Sequence, residues 1–185
     1  MTDYAACMGD TSPGASGTEN DFYWPGKGTG VLIAASPTRR SRTTPLPPGR
    51  EVEVFVPSKG LIRADVWNSW DLQIGMTDVT DGTSNTIMVG ESHVPAGKLN
   101  QAPENGPAYF GRHFTHFSRI AGPGVPLAHG PHDTRANPYS FGSNHAGGVQ
   151  FAFVDGSVTM ISTSISSKVV GHLTTRAEGI QARGF

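Results

Sequence analysis

The chain carries one cysteine, Cys7, so no internal disulfide can form. No histidine, lysine or arginine adjoins it to lower the thiol pKa, so a small, partly buried packing residue is its expected role. An intermolecular disulfide is the minor alternative. Charge is scarce and balanced: 16% of residues are charged and the formal net charge is −1. That balance argues against nucleic acid as a partner, because such proteins present a basic patch. The lone basic cluster, Arg39-Arg40-Ser41-Arg42, lies among Pro and Thr and reads as a solvated loop. No run approaches the roughly 20 apolar residues of a membrane-spanning helix, so no membrane contact is expected of this chain. No apolar signal segment follows Met1; if the protein is exported, its targeting segment is expected to have been removed. There is also no phosphate loop ending in Gly-Lys-Ser/Thr and no Gly-x-Ser-x-Gly elbow.

What is plentiful is turn chemistry. The 185 residues include 24 Gly and 14 Pro, while hydrophobic residues make up only 36%. This mixture favours turns and short strands over helices. The expected fold is mainly β (α+β): an antiparallel sheet of short strands, long Pro/Gly-rich loops and one C-terminal helix. The length suits a single domain over 1–185 with a core of its own. Strands are expected at Val31–Ala35, Glu51–Val56 (ended by Pro57), Leu61–Trp67, Trp70–Ile74 and Thr86–Val89. Thr77–Asp81 suits one helical turn, with Thr77 as cap and Gly82 ending it in a left-handed conformation. The segment 36–50 reads as an exposed loop and 121–138 as a second long loop, of the kind that are functional or form interfaces. Ser166–Ala177 is the one true helix expected, with Val169, Val170 and Leu173 on its apolar side.

The most informative stretch is Phe141–Ser162, FGSNHAGGVQFAFVDGSVTMIS. Val149, Phe151 and Phe153 alternate with Gln150, Ala152 and Val154, the period of a strand with one buried face. Asp155-Gly156 then suits a tight hairpin turn, and Val158 begins the return strand. Nine residues separate His145 from Asp155. At ~3.3 Å per residue a straight strand would hold the two roughly 30 Å or more apart. A base paired with its orienting carboxylate would need a sharp bend at Gly147-Gly148, so both residues are read as structural. Asp155 is expected to accept N–H groups in its own turn, and His145 to bond a neighbouring loop.

Two other clusters invite chemistry. His113, His116, His129 and His132, with the Asp133 carboxylate, offer ligands for zinc or another borderline metal if the intervening loop brings them together. Asp78, Asp81 and Glu91, with Asn85 between them, offer oxygen ligands for calcium, although the spacing matches no twelve-residue EF-hand loop. Polar loop residues explain the first set equally simply, and an Asp81-Gly82 turn explains the second. No residue is therefore assigned a catalytic, cofactor or metal role, and calcium is the one ion kept in view.

Three blocks in order carry a resemblance: Thr77–Glu91 (TDVTDGTSNTIMVGE), His145…Asp155-Gly156, and Ser164–Gly179 (SISSKVVGHLTTRAEG). They resemble the prepilin-type processing-associated His-x9-Asp-Gly domain of bacterial type IV pseudopilin-like proteins, over about the second half of the chain. The resemblance implies a pseudopilin-head-like fold in which His145, Asp155, Gly156, Asp81, Gly82, Asn85 and Glu91 form the structural motif. Full-length members of that family begin with a long apolar helix, so this chain is expected to be a C-terminal portion or a member without that helix.

The expected function is a non-enzymatic structural subunit of an extracellular or cell-surface filament or tube, built from copies of itself. The alternative is an extracellular ligand- or glycan-binding module in which Tyr23, Trp24, Trp67 and Trp70 stack on sugar rings. A metal-dependent or His/Asp enzyme ranks last.

Overall fold

The computed structural model describes residues 3–10, 28–32, 36–38, 52–56, 60–64, 69–71, 74–101, 104–107 and 114–179. Among them the strands are β1 (Tyr4–Asp10), β2 (Ser36–Thr38), β3 (Val52–Val56), β4 (Gly60–Ala64), β5 (Ser69–Asp71), β6 (Ile87–Glu91), β7 (Ser118–Ala121), β8 (Gly148–Phe153) and β9 (Val158–Ser162). One α-helix, α1 (Ser167–Thr174), follows them. None of these elements is a helix long and apolar enough to cross a membrane. The mainly-β, α+β class read from composition is the observed one.

The backbone divides into two compact units. The smaller, Ala35–Gln73, holds two antiparallel pairs. β2 pairs with β5, and β3 forms a hairpin with β4 in which Val54 faces Ile62. The strand expected over Glu51–Val56 is β3.

The larger unit is built on a five-stranded sheet in the order β7-β1-β6-β8-β9. Its pairings are antiparallel except for β1 with β7, which is parallel, so the sheet is mixed where an antiparallel one was expected. The register of β1 and β7 slips between Cys7 and Asp10. Gly9 sits at that irregularity with φ +127°, and a Cβ there would lie 2.6 Å from the Gly30 nitrogen.

The alternation in Val149–Phe153 is realised as read. Val149, Phe151 and Phe153 are buried on the face that α1 covers with Val170 and Leu173. Gly156, at φ +86°, turns the chain into β9. Cys7 lies wholly buried in the same core. Burial pushes its thiol pKa up to about 12.

Four local expectations are corrected. The segment 36–50, expected to be a loop, begins with strand β2 over Ser36–Thr38, held by its pairing with β5; residues 39–50 lie outside the described residues. Val31 and Leu32 form a bend and not a strand, and Leu32 is exposed; Ile33 to Ala35 lie outside the described residues. The neighbouring carbonyls of Gly28 and Gly30 are engaged by the Arg176 guanidinium and not by a ladder. The turn expected at Thr77–Asp81 is a 3₁₀ turn over Met76–Asp78, in which the Asp78 carboxylate accepts the Gly75 N–H at 2.7 Å. Thr77 is inside it and does not cap it. The helix stops at Thr174, short of Ala177, because the amides that would continue it are bonded elsewhere.

Phe141 and Phe151 pack edge to face, with centroids 5.2 Å apart and planes at 71°. Gly90 on β6 lies against both rings: a Cβ there would overlap Phe151 and come within 2.8 Å of Phe141. Gly90→Ala is therefore expected to destabilise the protein by about 1–3 kcal/mol through overpacking. Urea unfolding checks this: the midpoint should fall at unchanged slope.

Candidate functional site

His145 and Asp155 flank β8 at opposite ends, and they do not meet. Asp155 accepts the Ser157 N–H at 2.9 Å and the Ser157 hydroxyl at 2.6 Å. Those bonds hold its carboxyl below the ordinary range. His145 is exposed; its N–H donates to the Ser143 hydroxyl at 3.0 Å, and its Nε2 lies 3.2 Å from Glu91 Oε1. The histidine of one motif block thus pairs with the acid of another. Sequence reasoning kept the two in separate clusters, and their shared membership of motif blocks was the available signal.

Glu91 ends β6 directly opposite Tyr4 of β1. Its Oε2 accepts the Gln150 N–H at 2.7 Å, so a side chain takes over the ladder where the pairing of β6 with β8 runs out. Its main-chain carbonyl accepts the Gly142 N–H at 3.0 Å. Around this pair lies a cleft of about 360 Å³, lined by Tyr4, Glu91, His93, Leu99, Asn144 and His145 among others.

A buried cation organises the loops beside the cleft. Arg119 on β7 is only 2% exposed. Its guanidinium donates to the carbonyls of Ser140 at 3.1 Å, Ser118 at 2.9 Å, His93 at 3.3 Å and Glu104 at 3.2 Å, and also to that of Thr115. Five rigid donors suit such a cage of carbonyls. Burial lowers its pKa to about 10, which leaves it cationic at neutral pH. His93 is buried nearby; burial first, and then the Arg119 charge, hold its imidazole pKa below 6.5, with Asp133 opposing them.

Asp81 binds the end of the described chain. Its carboxylate accepts the N–H groups of Glu178 and Gly179, each at 2.7 Å, and the Thr175 hydroxyl at 3.4 Å. Gly82, at φ +100°, carries the chain round the turn. Asn85 closes it by donating to the Asp81 carbonyl at 3.2 Å. The next residues meet the hairpin: the N–H groups of Asp155 and Val154 donate to the carbonyls of Thr83 and Thr86. Asp78, Asp81 and Glu91 serve three different places and do not converge.

The histidines are also dispersed. His113 lies outside the described residues, as do Tyr23, Trp24 and Trp67. His116 is buried against Gly106, the His129 imidazole donates to the Thr163 carbonyl at 2.9 Å, and His132 is exposed. Among the described residues no group of three or more His, Cys, Asp or Glu is placed to share a cation. Asp133 is held below the carboxylate range first by its bonds from Arg135, at 3.0 and 2.7 Å. Arg119 and Arg176 escaped the sequence reading because nothing in their local pattern marks a carbonyl cage or a loop clamp; Asp133, read there as a carboxylate beside the histidines, instead accepts the His129 N–H and the Arg135 guanidinium.

Asp81→Ala is expected to cost about 1–3 kcal/mol, since it leaves two main-chain donors without their acceptor. Hydrogen exchange at Glu178 and Gly179 should speed up before that of the core strands. His93 predicts a pH effect. Its folded pKa is lowered, so the unfolded state takes up the proton first as pH falls through 6.5. Stability should fall there and level off below the folded-state value. In His93→Gln the drop in Tm between about pH 7.5 and 5 should be smaller than in the unsubstituted protein.

No curated protein and no solved structure matches this chain. A family model covers residues 8–168 and is described as "Protein of unknown function (DUF1559)"; it does not single out the prepilin-type His-x9-Asp-Gly domain. Most of the chain lies within that match, and the protein belongs to the DUF1559 family.

Proposed function

We propose that this chain is a non-enzymatic structural subunit that assembles with copies of itself at the cell surface or outside the cell, in the manner of a pseudopilin head. One observation carries the reading. Among the described residues β9 is the last strand of the sheet, and Val158 and Met160 stand on the face turned away from the core, 66% and 59% exposed. The strand reads Val-Thr-Met-Ile-Ser, with no charge and no proline. Soluble proteins usually guard an edge with Lys, Pro or a bulge, because its unpaired N–H and C=O groups template another strand. β9 has none of these guards.

The strand is also self-complementary. In a two-fold antiparallel pair centred on Met160, Val158 of one copy faces Ser162 of the other, and no like charges meet. The motif residues fit a scaffold. Asp155, Asp81 and Glu91 each spend their carboxylate on main-chain N–H groups, which supports fold maintenance over bond-making chemistry. The resemblance of the three blocks to pseudopilin-like proteins supports the filament reading and the location; the family match spans two of those blocks whole.

Sedimentation and electron microscopy test the proposal. The unsubstituted protein should form dimers or ordered polymers at micromolar concentration. Met160→Lys or Val158→Lys should return it to monomers with Tm nearly unchanged, since both positions are exposed. A monomer that stays dispersed at all accessible concentrations overturns the reading, as does assembly indifferent to both substitutions.

A further inference from the structure

We propose that the cleft beside the Glu91–His145 pair binds a neutral, hydroxyl-rich ligand: a mono- or disaccharide. Glu91 commits one oxygen to the Gln150 N–H and the other to the His145 imidazole. Among the described residues Asp3 is then the one lining carboxylate without such partners on its side chain, and it is exposed to water. A divalent cation wants several oxygen ligands at once, and the lining does not supply them. An anion would meet two carboxylates. A wholly apolar ligand would strand the pair and Asn144 without water.

A sugar satisfies each group. Its hydroxyls donate to Glu91 and Asp3, and accept from the Asn144 amide and the Ser143 hydroxyl, all of which line the cleft. Its C–H face needs an apolar platform. Tyr4 and Leu99 supply one: both line the cleft and stand 55% and 56% exposed. An amphipathic ring beside convergent polar groups is the usual make-up of a small-molecule site. The volume of about 360 Å³ lies near the lower end of the 300–1,000 Å³ range of such sites, which sets the size at one or two rings.

The arrangement is built before any ligand arrives. The Gly142 N–H is held by the Glu91 carbonyl, and a Cβ at Gly142 would come within 2.6 Å of Ala128, so this wall of the cleft is fixed by packing. Arg119 clamps the His93 carbonyl on the adjoining segment. The proposal is independent of assembly through β9.

NMR titration of the purified full chain with cellobiose, maltose, lactose and diacetylchitobiose tests it. At least one should shift the amides of Ser92–Leu99 and Gly142–His145. Tyr4→Ala and His145→Ala, both at exposed side chains, should each weaken that binding about tenfold or more while leaving Tm in place. No shift at these amides with any of the disaccharides at tens of millimolar overturns the proposal. Binding that survives both substitutions overturns it too. So does lysine amide moving the same amides where no sugar does, since that would make the site one for ammonium groups.

Discussion

The carboxylate of Asp81 sets where the C-terminal segment lies, and much of the larger unit follows from that constraint. It is almost fully buried, and its two oxygens are met by the N–H groups of Glu178 and Gly179. A buried charge is tolerable only when it is well bonded, and here main-chain dipoles supply the bonds. With the Arg176 N–H given to the Thr29 carbonyl at 2.9 Å, α1 ends at Thr174, and Thr175 is extended with its hydroxyl turned back to the His172 carbonyl. The chain then presents Arg176 to the carbonyls of Gly28 and Gly30, which lie beside the Gly9 irregularity in β1. One acid thus fixes the segment after the helix against the turn that follows Val79, and Arg176 on that segment reaches Gly28 and Gly30 beside β1.

The same economy recurs elsewhere. Glu91 stands in for a strand partner at Gln150, Asp155 bonds Ser157 within its own turn, and Arg119 gathers carbonyls from five residues. In a chain so rich in Gly and Pro, long stretches have no ladder to satisfy their main-chain groups. Charged side chains take that role, which keeps buried N–H and C=O groups bonded where regular structure does not reach.

What the sequence revealed depended on range. The β8–β9 hairpin was legible because period-two alternation and an Asp-Gly turn are local signals. The resemblance blocks marked Asp81, Glu91 and His145 without saying what each touches. The helix was read too long because its stop comes from the Thr29 carbonyl, far upstream, which takes the Arg176 N–H, and the composition of Thr175–Ala177 shows nothing of it. The parallel pairing of β7 was likewise invisible, since strand direction depends on the path of the intervening loop. Arg119 sits in Ser118–Ala121 between Phe117 and Ile120 and looks like an exposed residue of an edge strand. Only the surrounding carbonyls make it internal.

The lone thiol acquires a particular meaning from its place in β1. Cys7 is sealed in the apolar core, its Sγ 3.9 Å from the Thr174 carbonyl. A thiol held so far from ionising is a poor nucleophile toward oxidants and alkylators. It becomes reactive only when α1 lifts away or the sheet opens. In an oxidising medium, covalent cross-linking would therefore record molecules that have lost their tertiary packing and leave intact ones untouched. A single sulfur atom thus serves as a built-in reporter of structural integrity.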